Sequence, residues 1–248
     1  VTPRSASPPK GRTPRTRRLR FWGRRLLLLG CGLALLFGLF QSLTWPDVAG
    51  LAEDAPRSSA FMDAYQRRTG QPPLYRWVPQ GAISQHLKKA VLVSEDLEFF
   101  SHDGFSTHEI KAALRDAWQE GKSLRGASTL TQQLAKNLWL APSRNPWRKV
   151  KEALLTRQLE RSLTKRRILE LYLNVVEFGP GIYGAEAAAQ SYFGCSAAAL
   201  TSRQAAQLAA SLPNPTRWNP RQDSPTARRR TERTLARMKD VDWLDGWL

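Results

Sequence analysis

Three segments of this sequence carry side chains whose types and spacing could do chemistry. The first is Ser94-Glu95-Asp96-Leu97-Glu98-Phe99-Phe100-Ser101-His102-Asp103-Gly104-Phe105. It puts the carboxylates of Glu95, Asp96 and Glu98 together at a predicted helix end, beside aromatic rings. Neighbouring carboxylates repel, so one keeps its proton or takes a cationic partner, and such a group can serve as a general base near neutral pH. The same letters also fit a solvated acidic helix end, with His102 bonding locally. The second segment runs from Gly126 to Asn137, GASTLTQQLAKN. At about 100° per residue, Thr129, Gln132, Gln133 and Lys136 share one helix face, and Leu130, Leu134 and Leu138 share another. Hydroxyl, amides and ammonium on one stripe suit a phosphate or a sugar; a plain solvent-facing stripe is the alternative. The third is Arg148-Lys149-Val150-Lys151-Glu152. Arg148 and Glu152 are one turn apart and can pair. Leu155, Leu159 and Leu163 continue the stripe of Glu152, where an acid is costly unless paired. Either it is a structural pair at the rim of a core, or a second carboxylate facing a cleft with cations beside an anion.

The elements that must position these groups read as helices. Ser84 caps a predicted helix reaching Leu97. Thr129-x-x-Gln132 is a capping-box pattern opening a helix to Leu140. Pro146 suits the first turn of a helix to Leu163, and Ile168–Val176 forms another. Gly179, Gly181 and Gly184 break the chain before an alanine-rich helix ending at Phe193. Thr201-x-x-Gln204 opens a helix closed by Pro213, and Ser224-Pro225 starts an arginine-rich terminal helix. No alternating strand is visible, so the predicted class is mainly α. Ser7–Lys10 and Ser162–Lys165 form Ser-x-x-Lys strings, but without the companion motifs of a serine acyltransferase both read as chance.

Composition bounds the rest. The 248 residues hold 38 Lys and Arg against 21 Asp and Glu, a net charge of +17. Arg4 to Arg25 supplies bases and no acids. A basic balance suits nucleic acid or an anionic membrane, but no zinc-ligand spacing or basic-aromatic RNA signature is present, so no nucleic-acid partner is expected. Leu26–Phe40 has no charged residue, and with Gln41–Trp45 it reaches the length that spans a bilayer. Trp22 and Trp45 flank it, as interfacial rings do, and the bases on the near side place residues 1–25 in the cytoplasm. A cleaved signal peptide is the competing reading. The predicted organisation is a disordered basic cytoplasmic tail (1–25), a transmembrane helix (26–45), a connector with short helical pieces (46–74), a catalytic domain (75–222) and an Arg-rich helix or tail (223–248). Cys31 and Cys195, one inside the apolar run, are not expected to pair.

The three segments, in this order, resemble the peptidoglycan glycosyltransferases of family 51. Glu95-Asp96-x-x-Phe99-x-x-His102-x-Gly104 is similar to the family's first motif. Gly126-x-Ser128-Thr129-x-Thr131-Gln132-Gln133-Leu134-x-Lys136-Asn137 is similar to the second, and Arg148-Lys149-x-x-Glu152 to the third. Ile168–Asn174 with Gly179-x-Gly181-x-Tyr183-Gly184, and Ala188-x-x-x-Tyr192-Phe193-Gly194, match the fourth; Ala209–Pro215 matches the fifth. Cys195 departs from the lysine often found after Tyr-Phe-Gly. The chain ends soon after the fifth motif, which resembles the monofunctional biosynthetic members rather than those with a following transpeptidase domain.

The resemblance implies a lysozyme-like two-lobed fold anchored by a single helix in the bacterial inner membrane, with the catalytic domain outside the cytoplasm. It implies lipid II and the growing glycan as substrates, membrane lipid and wall-synthesis or cell-division proteins as partners, and no required cofactor, with Mg or Mn as a possible stimulant and no dedicated metal site. Glu95 is then the catalytic base and Glu152 a second catalytic carboxylate. Thr129, Gln132, Gln133, Lys136, Arg148 and Lys149 bind substrate, and Asp96, Phe99, His102, Ser128 and Asn137 support them. A wall-cleaving muramidase or lytic transglycosylase, and a non-catalytic wall-binding protein, are the rival functions.

Overall fold

A computed structural model of the chain describes residues 14–106, 128–140, 146–222 and 224–248. The chain divides into two compact units, Val1–Pro46 and Asp47–Leu248. The first holds helix α1 (Pro14–Leu43). It begins inside the stretch expected to be disordered, because proline is tolerated in a first helical turn and Arg and Leu are good helix formers. Residues 1–13 lie outside the described set. Among the described residues no helix is long and apolar enough to cross a membrane; the side chains of Leu26, Ala34 and Phe37, inside α1, are not among those described.

The second unit is mainly helical. Helix α2 (Ala60–Thr69) lies within residues 46–74; the Ser59 side chain accepts the Met62 N–H at its start, and Gly70 ends it at φ 70°. Helix α3 (Gln85–Glu95) is capped by Ser84, as its sequence predicts. It stops at Glu95 rather than Leu97, because the backbone of Asp96 leaves helical geometry (φ −164°, ψ 78°). Helix α4 (Leu130–Trp139) and helix α8 (Ser202–Ser211) both open with complete capping boxes, from Thr129 and Thr201. Between them lie α5 (Pro146–Ser162), α6 (Lys165–Val175) and α7 (Ala185–Phe193). A short α9 (Pro215–Trp218) precedes α10 (Pro225–Met238), which is capped by Ser224.

Helix α3 is the hydrophobic centre. Leu87, Ala90, Val91 and Leu92 are fully buried, and α8 and α10 pack along it. The Arg-rich terminal helix is therefore docked, turning Ala227, Thr231, Thr234 and Met238 inward. A second packing group joins α4 to α5, α6 and α2, with Leu130, Leu134, Leu155, Leu159, Ile168 and Leu171 buried. Each such side chain contributes roughly 1.5–3 kcal/mol on burial.

The structure adds a small sheet that the sequence pattern does not show. Its strands β1 (Leu74–Tyr75), β2 (Glu177–Gly179) and β3 (Ile182–Tyr183) stand in the order β1-β3-β2. β1 runs parallel to β3, pairing Leu74 with Ile182, and β2 runs antiparallel to it. Strands of two or three residues are too short to show alternation. Gly184, after β3, has φ +84°, and a Cβ there would lie 2.4 Å from the Asn174 carbonyl oxygen. Asn174 is fully buried. It accepts the Val78 N–H at 3.0 Å and donates to the Val78 carbonyl at 2.9 Å, tying α6 to the stretch before α3.

Candidate active site

Helix α3 delivers Glu95 as its last residue, and α4 meets it. The Gln133 amide donates to Glu95 Oε2 at 3.1 Å. That amide is itself oriented: Tyr172 of α6 donates its hydroxyl to Gln133 Oε1 at 3.0 Å, so Nε2 must face the carboxylate. Gln133 also donates to the Ser128 carbonyl at 3.3 Å. Tyr172 is fully buried. Burial, and then the charges of Glu95 and Asp96, push its phenol well above the ordinary range. It stays a protonated donor at any working pH.

Asp96 fixes the same junction from below. It is 1% exposed. His102 Nε2 donates to its two oxygens at 3.0 and 3.1 Å, and the Leu130 N–H donates to Oδ2 at 2.9 Å. His102 Nδ1 accepts the Gly104 N–H at 3.0 Å, which assigns the proton of a neutral ring to Nε2. A carboxylate at the first N–H of α4 also suits the positive end of that helix. Thr129 closes the arrangement, donating its hydroxyl to the Gly104 carbonyl at 2.7 Å. Phe99 is buried beneath, edge-on to Phe100 and His102, with Lys165 Nζ 4.6 Å from its ring centroid. The lysine of the second Ser-x-x-Lys string is thus committed to Phe99 and to Glu160 at 2.8 Å.

One turn along α4 from Gln133 stands Lys136, held over the Phe61 ring at 5.4 Å. Burial lowers its pKa; Glu152 opposes that shift, and Arg148 and Lys149 add to it. Those influences place the four side chains in one electrostatic neighbourhood. Glu152 is 3% exposed and paired with both Arg148, at 3.3 Å, and Lys149. The paired, buried acid expected from the leucine stripe is what the structure contains.

The remaining sequence-predicted residues have local tasks. Thr129 and Gln132 are buried and make up the capping box of α4. Asn137 is buried on the same helix, and Ser128 is exposed with its carbonyl facing Gln133. Gly126, the opening residue of the second motif, lies outside the described residues. Cys31 and Cys195 are both free thiols. Among the described residues, no three His, Cys, Asp or Glu side chains cluster as metal ligands would.

The family model described as transglycosylase matches residues 63–239 of this chain. The chain belongs to the transglycosylase family. Relatives agree: a biosynthetic peptidoglycan transglycosylase of Methylobacillus flagellatus is 42% identical over 224 residues, covering 88% of this chain and 96% of its own length. Proteins of the same name from Azoarcus sp. (46% over 204 residues; 80% and 87% covered) and Bordetella avium (42% over 238; 91% and 98%) are similar too. The matched transglycosylase region takes in residues 63–69 of α2 and all of α10, beyond the 75–222 read from the motifs. Both lend side chains to the site, Phe61 from α2 and Arg230 from α10, whose guanidinium lies 4.0 Å from Glu95 Oε1. Sequence reasoning assigned no role to Tyr172, Phe61 or Arg230. Tyr172 lay inside a quoted motif and was the one polar-tipped ring on a buried helix face; nothing local marked the other two.

Proposed function

We propose that this chain polymerises lipid II into β-1,4-linked glycan, releasing undecaprenyl diphosphate at the outer face of the bacterial inner membrane. The observation that carries this reading is the spacing along α4. Gln133 holds the carboxylate of Glu95, and one turn away Lys136 shares a neighbourhood with Arg148, Lys149 and Glu152. A base and a cation cluster are what a glycosyl transfer with a diphosphate leaving group needs.

The reaction then runs in one displacement. Glu95 takes the proton of the acceptor N-acetylglucosamine 4-hydroxyl as that oxygen attacks the anomeric carbon of the donor N-acetylmuramic acid. The bond from that carbon to the phosphate oxygen breaks, the anomeric centre inverts, and the diphosphate departs with its negative charge. Lys136, Arg148 and Lys149 stabilise that charge, the arginine through paired N–H groups. Glu152 holds Arg148 and Lys149 in place. A leaving group of this kind needs charge stabilisation more than a proton donor, and a divalent cation would add to it. The family resemblance implies a lysozyme-like arrangement of a larger and a smaller lobe, with the substrate cleft between them. Helix α1 is the single-pass anchor. Its Leu27, Leu28, Leu35, Leu36 and Leu43 are exposed, and a row of bare leucines in a helix without acids fits lipid rather than water. The basic residues before it and in its first turns keep that end in the cytoplasm. Tethering confines enzyme and lipid-tailed substrate to one surface and raises their effective concentration.

The test is polymer formation from labelled lipid II by the full chain in detergent or vesicles. Glu95→Gln is expected to stop it. Polymer that persists in that variant removes Glu95 as the base. Fragments released from finished glycan, with no polymer made, would instead identify a wall-cleaving enzyme.

A further inference from the structure

A cavity of about 390 Å³ lies at the opposite end of α3 from Glu95, lined in part by Gln80, Ser84, Gln85, Lys88 and Leu248. Lys88 is only 3% exposed. Its ammonium makes no hydrogen bond or ion pair among the described residues, Leu248 included. Burial lowers its pKa; the Arg166 guanidinium adds to that shift and the Glu170 carboxylate opposes it. Glu170 is already committed, accepting from Arg167 Nη1 at 2.7 Å and from the Gln80 backbone N–H at 2.9 Å. Lys88 and Arg166 therefore share a carboxylate that a third cation has claimed. A buried ammonium left in that position is costly. The next residue shows the ordinary solution: Lys89 pairs with Asp245 at 2.8 Å and Asp242 at 3.5 Å.

Gln80 repeats the deficit from the other wall. Its side-chain Nε2 is buried and meets no acceptor among the described residues. Ser84 cannot answer either donor, because its hydroxyl donates to the Leu200 carbonyl at 3.0 Å and accepts the His86 N–H at 3.2 Å. Ser84 and Gln85 are the cap and first residue of α3, so the positive end of that helix borders the same space. An ammonium, an amide N–H and a helix start all call for an acceptor carrying negative charge. A phosphate group offers several acceptor oxygens and no donor when ionised, and a compact ammonium suits it as a point charge.

We propose that this cavity is a phosphate-group site separate from the Glu95 site, in which Lys88 Nζ and Gln80 Nε2 donate to the oxygens of the bound group. Glu95 stands seven residues further along α3, about 10 Å at the helical rise, and the Lys136, Arg148 and Lys149 cluster belongs to that other end. The cavity is larger than inorganic phosphate requires, so the group can enter free or as the head of a phospholipid. Binding would join α3, the Gln80–Ala82 turn and α6 through one ligand, and stabilise the fold by linkage.

The experiment uses the full chain in detergent with inorganic phosphate as probe, against chloride at matched ionic strength. Phosphate at ten times its dissociation constant should raise the melting temperature by about 3–6 °C and saturate. Lys88→Met, which removes the charge at similar volume, should lose that rise while folding at least as stably without phosphate. Lys136→Gln should keep it. A second readout needs no variant: carbamylation by cyanate, followed by peptide mass spectrometry, should slow about tenfold at Lys88 under the same phosphate, as competition for one site implies, and stay unchanged at the exposed Lys239. Repeating the melts with glycerol 3-phosphate, and with micelles containing phosphatidic acid, separates the sources: a tighter saturable rise with either supports a lipid head group, and the tightest with phosphate supports the free anion. A rise that never saturates and persists in Lys88→Met is a general salt effect and overturns the proposal. So does a rise lost in Lys136→Gln but kept in Lys88→Met, which places the phosphate at the catalytic cluster, and so does carbamylation of Lys88 unaffected by phosphate.

Discussion

Removing one oxygen from Tyr172 isolates the orientation of Glu95, the proposed base. The Tyr172→Phe change leaves the buried ring in place and deletes only the hydroxyl that donates to Gln133 Oε1. Without that donor, the Gln133 amide is held only by its bonds to Glu95 and the Ser128 carbonyl, so its direction is less tightly fixed. The lost hydrogen bond and the unsatisfied oxygen together cost about 1–3 kcal/mol of stability. For a domain of this size that is roughly 2–4 °C in melting temperature per kcal/mol. The effect on catalysis should be larger than on binding, because the amide touches the proposed proton acceptor rather than the diphosphate. A tenfold fall in kcat corresponds to about 1.4 kcal/mol, and we expect at least that, with KM little changed. The assay is steady-state polymerisation of labelled lipid II beside a thermal melt. A variant with lowered melting temperature but kcat within twofold of the parent would refute the reasoning, since it would show that Glu95 does not depend on the amide's direction.

Two further outcomes follow from the geometry. Burial lowers the pKa of Lys136, so the ammonium proposed to serve the leaving group is lost at a lower pH than an ordinary lysine would allow; kcat/KM should decline on the alkaline side below the usual lysine range, and Lys136→Arg, which does not titrate there, should push that decline upward. The stability sign is the reverse: between the lowered value and the ordinary one, the unfolded chain holds a proton the folded chain has released, so this residue adds stability as pH rises through that window, readable in melts across it. Gly104→Ala puts a methyl at φ +86°, 2.7 Å from Thr156 Cγ2 and 2.9 Å from Glu160 Cγ; strained backbone and overpacking together should cost roughly 2–4 kcal/mol, seen as a lower melting temperature and reduced activity, since Gly104 also bonds His102 and Thr129.

What the sequence revealed was chiefly local. Ser84, Thr129, Thr201 and Ser224 announced their helices because a cap is a contact between residues two or three apart. The leucine stripe through Leu155, Leu159 and Leu163 showed that Glu152 is costly there unless paired, because one helical period carries that information, but it left a rim pair and a cleft-facing carboxylate equally open. Thr129 and Gln132 looked like substrate contacts on a polar stripe; their capping box was equally visible, and the structure buries both in it. Hidden from any local reading were contacts across long separations: Tyr172 on Gln133, Phe61 under Lys136, Arg230 against Glu95. No periodicity links such pairs. The end of α3 at Glu95 belongs with them, since Asp96 leaves the helix for partners at His102 and Leu130 that the helix pattern cannot foresee. The strands were missed because two or three residues are too few to alternate.

Asp96 has a consequence for how the site opens. Its carboxylate, one residue beyond the base, holds the first N–H of the helix that carries both Gln133 and Lys136. The Thr129 hydroxyl repeats the connection through Gly104. The Glu95 carboxylate, the Gln133 amide and the Lys136 ammonium are therefore not three separately mobile parts but one cooperative unit, in which the end of α3 cannot fray without releasing the start of α4. Fluctuations that would blur the aim of a lone glutamate must here break a buried carboxylate's bonds first, so the geometry of the proposed proton transfer inherits the stability of that junction.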